Sequence, residues 1–181
     1  MTGTADRRRH LQAGDAIGAP DETLNVVTLN NSGACVDALN KLLSESRRQV
    51  RIFSQDLART LYHQAEIVDA LSRFARRSRY ARVEILITDS ASILSQPHLL
   101  LPLIQRLDSR ISLRKIQNSS ELTDWEFAIA DDRQSLLISD PVKWSGQYRA
   151  DDPVRNRKLQ DVFEQSWLHA RPDPALKRFV L

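Results

Sequence analysis

One cysteine among 181 residues leaves no disulfide to form within the chain, so its stability has to come from a packed core. That residue, Cys35, falls in an apolar pattern of helical period with no base or metal-ligand partner near it in sequence, which makes it a packed, inert thiol. A reducing cytoplasm is the natural compartment for such a chain. Long apolar runs are also missing: nothing approaches the roughly 20 residues of a membrane span, and no membrane insertion is expected. Met1 to His10 holds basic residues without an apolar stretch after them, so an export signal is not expected either. Histidine is scarce, at four residues, and His98 has no His, Cys or carboxylate partner at ligand spacing, which assigns it to packing or surface. No metal or cofactor is read from the sequence. Neither sign of charge dominates, since 26 Lys and Arg against 23 Asp and Glu give a net charge of +3. What is present, 41% hydrophobic and 27% charged residues, can bury the core of one globular domain.

The balanced total conceals an uneven layout. Arg73, Arg76, Arg77, Arg79 and Arg82 crowd one short stretch, while Asp124, Glu126, Asp131, Asp132, Asp151 and Asp152 make the later third acidic. A basic cluster attracts nucleic acid or anionic lipid headgroups. The competing reading is an ordinary solvated face, because Arg73, Arg76 and Arg77 lie opposite an apolar side made of Ile67, Leu71 and Phe74.

Along the chain, residues 1–23 mix Gly, Ala, Asp, Pro and Arg without period and are expected to form a disordered arm. The folded domain is expected over 24–171, with 172–181 as a tail. Leu24 to Leu29 suits a strand, and the run from Ser32 places Val36, Leu39, Leu42 and Leu43 on one helical face, capped by Asn31 or Ser32. Gln49 to Gln55 alternates as a strand, Asp56 to Gln64 follows as a loop, and Glu66 to Ser78 is an amphipathic helix. Arg82 to Thr88 is a β-branched central strand. Between Ile93 and Leu107 a short helix precedes one with Pro102 in its first turn, and Arg110 to Ile116 returns as a strand. Trp125, Phe127 and Ile129 should share one face of the next strand, with Asp124, Glu126, Ala128 and Ala130 on the other. Asp131-Asp132-Arg133 then turns the chain into Ser135–Ser139. Val154 to Ala170 is a helix with Leu159, Val162, Phe163 and Trp167 on its apolar stripe. Strands separated by helices predict a single α/β domain with a mixed, mostly parallel sheet flanked by helices.

The layout of the Asp124 strand carries a resemblance. Asp124, Glu126 and Asp131, followed by Ile138 and Ser139, stand at the spacing of the H-x-K-x-x-x-x-D motif and Gly-Ser pair of the phospholipase D superfamily, and the order of elements from Ser32 onward is similar to one phospholipase D repeat. The chain resembles an uncharacterised bacterial branch of that superfamily, some members of which are attached to acyltransferases. Only the final Asp and the Ser of the motif survive. The motif's imidazole attacks phosphorus, a role Asp124 cannot take, and Glu126 would repel the phosphate that the lysine holds.

The resemblance therefore implies a phospholipase D-like fold with a degenerate motif and no catalytic residue. Asp131, a supporting residue in the family, is equally a turn former at the end of a strand, and Ser139 and Asp140 precede Pro141 as turn residues often do. Asp124 and Glu126 either face water or, turned into a cleft, raise one another's pKa or jointly bind a cation. Family enzymes with one repeat pair two copies, which implies a homodimer, yet a twofold would set four carboxylates together and repel them. Trp125, Trp144 and Trp167 are candidates for core or interface. The functional expectation is a non-catalytic binding or assembly module whose partner is a second copy, an acyltransferase or another protein. The alternatives are a nucleic-acid or polyanion binder using Arg73, Arg76, Arg77, Arg79 and Arg82, and a metal-assisted phosphodiesterase built on Asp124, Glu126 and Asp131.

Overall fold

Residues 26–117 and 126–177 are described by the computed structural model. Alternating and β-branched runs give β1 (Val26–Leu29), β2 (Gln49–Ser54), β3 (Arg82–Ile87), β4 (Ile111–Ile116), β5 (Glu126–Ala130), β6 (Gln134–Asp140), β7 (Ser145–Arg149) and β8 (Ala170–Arg171). Between them lie α1 (Ser32–Glu45), α2 (Arg59–Tyr62), α3 (Ala65–Arg77), α4 (Ala91–Ser95), α5 (Leu100–Arg106), α6 (Pro153–Leu168) and α7 (Pro174–Lys177). The strands form one sheet in the order β1-β7-β6-β5-β2-β3-β4-β8.

The sheet is mixed, as the helix and strand alternation predicts, but it is not mostly parallel. Only β2–β3 and β3–β4 pair parallel, across the crossovers through α3 and through α4–α5. The connections from β5 to β6 and from β6 to β7 are too short for a crossover, so that half of the sheet is an antiparallel meander, and β1 closes it by pairing antiparallel with β7. β7 has no strong signal in the sequence because Tyr148 is its one buried side chain.

Two cores sandwich the sheet. On one face Leu39, Leu42 and Leu43 of α1, with Leu71 and Phe74 of α3 and Leu103 of α5, cover Val50, Ile52, Ile85 and Ala128. On the other face Leu159 and Phe163 of α6 cover Phe53, Leu86, Phe127 and Ile129, with the Phe53 and Phe127 rings stacked at 5.1 Å. All five residues of β5 are buried, so its alternation divides side chains between two cores rather than between core and water. Each large apolar side chain buried this way stabilises the fold by roughly 1.5–3 kcal/mol.

Local chemistry sets the helix ends. Asn31 Oδ1 accepts the Ala34 amide at 2.8 Å, and Asp152 Oδ1 accepts the Arg155 amide at 2.9 Å ahead of Pro153. Several expectations change. Asp56–Gln64 is not all loop, because α2 seats Leu61 and Tyr62 in the core. Val162 is exposed, since the buried stripe of α6 runs through Asn156, Leu159 and Phe163. The fold continues past Arg171, because α7 buries Leu176 among the residues of the first core. The expected arm at 1–23, and Asp124 and Trp125, lie outside the described residues.

Candidate functional site

Glu126 opens β5 and sits at the end of the strand next to Ser54, the last residue of β2. In the register Phe53 lies opposite Phe127, which puts Ser54 and Glu126 at the same level of the sheet, on the face covered by α1 and α2. The glutamate is only 2% exposed, and its Oε1 accepts the Ser54 hydroxyl at 3.1 Å. Its Oε2 makes no hydrogen bond among the described residues. Burial, reinforced by the charge of Asp56, pushes the carboxyl up to about 7, against the pull of its bonds to Ser54 and the Gln55 backbone. The reading that this face is open to water is therefore overturned: β5 has a helical layer on both sides.

Cys35 and Tyr62 complete the cluster. Both are buried, and both feel the Glu126 charge. Burial first and Glu126 second push the Cys35 thiol up to about 11 and hold the Tyr62 phenol well above its ordinary range. Cys35 Sγ donates to the Trp144 carbonyl at 3.4 Å, so the thiol is packed and protonated as its apolar pattern predicts. Sequence gave no hint of the acid beside it, because residues 35 and 126 meet only through the sheet. Ser54 carried one usable signal, its place on the same face of β2 as Val50 and Ile52. Chemically, the cluster is one buried carboxyl, pushed up to about 7 and held by the Ser54 hydroxyl, with the neutral Cys35 thiol and Tyr62 phenol packed nearby.

Asp131 stands at the far end of β5. It has φ 49° and begins, with Asp132 at φ 62°, the left-handed turn into β6. The turn forms as predicted, but the carboxylate does not bond its own following amides. Oδ2 accepts the Arg47 amide, and Oδ1 accepts those of Arg48 and Gln49 at 2.9 Å each, clamping the chain between α1 and β2. Five residues of strand, roughly 17 Å, separate it from Glu126. No single ion is bound by both, so the three-carboxylate centre of Asp124, Glu126 and Asp131 is not assembled. Among the described residues no group of three His, Cys, Asp or Glu side chains could hold a metal ion. Ser139 is exposed at a bulge in β6 and donates weakly to the Ser145 carbonyl at 3.4 Å. Asp140 beside it accepts the Val142 and Lys143 amides at 3.1 and 3.0 Å, the turn role expected before Pro141.

The arginine run divides. Arg77 reaches across to the end of α1, where its guanidinium donates to the Ser46 carbonyl and, at 2.9 Å, to that of Ser44. Arg82 donates to the carbonyls of Arg79 and Ala81 at 2.9 and 2.8 Å. Arg79 lies over the Tyr80 ring, 4.7 Å from its centroid. Arg73 and Arg76 are exposed and make no hydrogen bond or ion pair among the described residues. His98 is buried with its Nε2 donating to the Leu57 carbonyl at 3.0 Å and its Nδ1 accepting the Leu100 amide at 3.2 Å, a packing role in which burial lowers its pKa. Trp144 packs at the edge of the first core, and Trp167 stacks on Phe163 at 5.5 Å under Arg114. No helix among the described residues is long and apolar enough to cross a membrane.

Comparison with known proteins places this geometry. A family model described as a domain of unknown function, DUF7931, matches residues 31–179. No curated protein matches the chain. Among solved structures the chain is similar to Nuc from Salmonella typhimurium, a phospholipase D family member, with a TM-score of 0.61 and 15% identity over 81% of this chain and 95% of Nuc. NucT from Helicobacter pylori gives a TM-score of 0.58 at 15% identity, covering 82% of this chain and 97% of NucT. TrmBL2, an archaeal chromatin protein with a novel mode of DNA binding, gives 0.61 at 12% identity over 81% of this chain, which spans only 53% of TrmBL2. At these identities the likeness shows the fold, and the fold is phospholipase D-like.

Proposed function

For a chain that belongs to the DUF7931 family and has a phospholipase D-like fold, we propose the role of a non-catalytic binding or assembly module. One observation carries this reading. At the place where the superfamily motif has its lysine stands Glu126, 2% exposed, bonded to Ser54 and wedged among protonated neighbours. A buried acid there supplies no cation for a phosphate oxygen, and the imidazole position holds Asp124. The partner is a protein, either a second copy or an acyltransferase chain, met in the cytoplasm. A homodimer would not set Glu126 against its symmetry mate, because that side chain is 2% exposed beneath α1 and α2.

The direct test is a phosphodiesterase assay on purified protein, with bis-p-nitrophenyl phosphate and single-stranded DNA, with and without Mg²⁺, Mn²⁺ or Zn²⁺. No turnover under any condition is the expected outcome. Activity that disappears in Glu126→Gln would overturn the reading and make the buried carboxyl an acid-base group.

A second reading is favoured by the free guanidiniums of Arg73 and Arg76, with Arg79 and Arg82 beside them, and by the likeness to the DNA-binding TrmBL2. Here the exposed edge of α3 and the start of β3 contact a nucleic-acid backbone, and Arg77 contributes by holding α1 in place.

A further inference from the structure

On the sheet face opposite Glu126, β1, β7 and β6 pass the first turn of α6 and leave a cleft of about 430 Å³, lined among others by Thr28, Leu137, Ser139, Ser145, Gln147 and Arg155. Thr28, Gln147 and Leu137 form one cross-strand row, which fixes the floor. Gly146 lies against the next strand so tightly that a Cβ would stand 2.1 Å from the Leu137 carbonyl oxygen.

Two guanidiniums converge beside this floor. Arg155 Nη1 and Arg149 Nη2 donate to the same oxygen, Gln147 Oε1, at 2.9 and 3.3 Å. Among the described residues Asp152 is the single carboxylate bonded to the pair, and both of its oxygens are committed: Oδ2 to Arg149 Nη1 at 2.7 Å and Oδ1 to the Arg155 amide as the cap of α6. The other nearby acids are also engaged, Asp140 with Lys143 at 3.6 Å and Asp151 with Arg133 at 3.1 Å. Two cations against one anion leave an excess of positive charge at the N-terminus of a sixteen-residue helix, whose dipole adds to it. Donors remain unused as well. Arg149 Nε and the hydroxyl of its cross-strand partner Ser135 are buried without a hydrogen bond among the described residues. Burial and the neighbouring Arg149 charge both lower the Arg155 pKa, a strain that a bound anion would offset.

We infer that this cleft binds a phosphate-class oxyanion, with the Arg155 guanidinium as its main contact, Arg149 behind it, and the hydroxyls of Thr28, Ser139 and Ser145 completing the donor set. A guanidinium fork pairs with carboxylate and phosphate alike, and the several hydroxyls beside it favour the anion with more acceptor oxygens. The site shares no residue with the Glu126 cluster or with the Arg73–Arg82 run, and it stands whether or not the domain is catalytic.

The test follows the Gly146 backbone amide in a ¹H–¹⁵N correlation spectrum of the full chain, at pH 7 and constant ionic strength held with chloride. Inorganic phosphate and glycerol 3-phosphate are titrated separately, which distinguishes a free oxyanion from a phosphomonoester. A saturable Gly146 shift with either probe is expected, the tighter probe naming the source. In Arg155→Gln the apparent Kd should rise about tenfold or more, in line with the loss of charge-assisted hydrogen bonds. Ser139→Ala removes an exposed hydroxyl with a single weak bond, keeps the fold, and should weaken binding about two- to fivefold. Arg73→Gln with Arg76→Gln should leave it unchanged. An unsaturable shift, an unaltered Kd in Arg155→Gln and Ser139→Ala, or an equal loss in the Arg73 and Arg76 variant would each overturn the site.

Discussion

At the residue scale two carboxylates of one strand have opposite lives. Asp131 is a charged clamp: its oxygens gather the amides of Arg47, Arg48 and Gln49 and hold the start of β2. Asp131→Ala should destabilise the domain by roughly 2–4 kcal/mol in urea unfolding, since each bond from an amide to a charged acceptor is worth about 1.5–3 kcal/mol and the three are not additive. Asp131→Asn, which tolerates the φ of 49°, should recover part of that loss. Glu126 is the reverse case, an acid favoured in its protonated form. Its folded pKa of about 7 lies above the ordinary glutamate value of 4.5, so the folded state binds the extra proton between those two values. Stability should therefore fall as pH rises from about 4.5 to about 7 and level off beyond, by up to about 3 kcal/mol at roughly 1.4 kcal/mol per pH unit. Glu126→Gln should flatten that slope and exceed the parent in stability at pH 8. An undiminished slope in the variant would assign the effect to another group.

At the element scale the antiparallel half of the sheet depends on one close approach. Among the described strands β1 pairs with β7 alone, and β7 reaches β6 across a bulge at Ile138 and Asp140 where Gly146 admits no Cβ. Gly146→Ala must push backbone against backbone, at a cost on the order of 2 kcal/mol or more. Amide hydrogen exchange should then show β7 and β1 losing protection while β2, β3 and β4 keep theirs, because the parallel half has its own helical cover. Uniform loss across all strands would mean that the sheet opens as one unit.

At the scale of the whole molecule, charge is arranged at two separate places: guanidiniums of α3 and the start of β3, and the Arg149–Arg155 pair at the first turn of α6. The net charge of +3 is too small for strong non-specific attraction, so any nucleic-acid binding must come from local clusters. If the second functional reading holds, single-stranded DNA binding weakens with salt, and Arg73→Gln with Arg76→Gln lowers the slope of log K against log[salt] by about 1.4, which a fluorescence anisotropy titration measures. Binding that is unaffected by the pair would remove α3 from consideration. Size-exclusion chromatography with light scattering tests the assembly reading: a species of twice the chain mass is expected if the partner is a second copy, and a monomer at every concentration would remove that partner.

The sequence by itself determined the elements whose signals are local. Asn31 capping α1, Pro102 inside the first turn of α5, the Asp131–Asp132 turn and the β-branched run of β3 follow from short-range sterics and hydrogen bonding, and so they were legible. The order of elements from Ser32 onward also indicated a phospholipase D-like fold, which the likeness to Nuc and NucT bears out. Tertiary structure decided the rest, because it depends on which distant segments meet. The burial of Glu126 required α1 and α2 to cover its face, the separation of Glu126 from Asp131 required β5 to run its full length between them, and β7, with one buried side chain, exists only because β1 and β6 flank it. β7 and α6 bring Arg149 and Arg155 to one glutamine oxygen, a juxtaposition that no local pattern encodes.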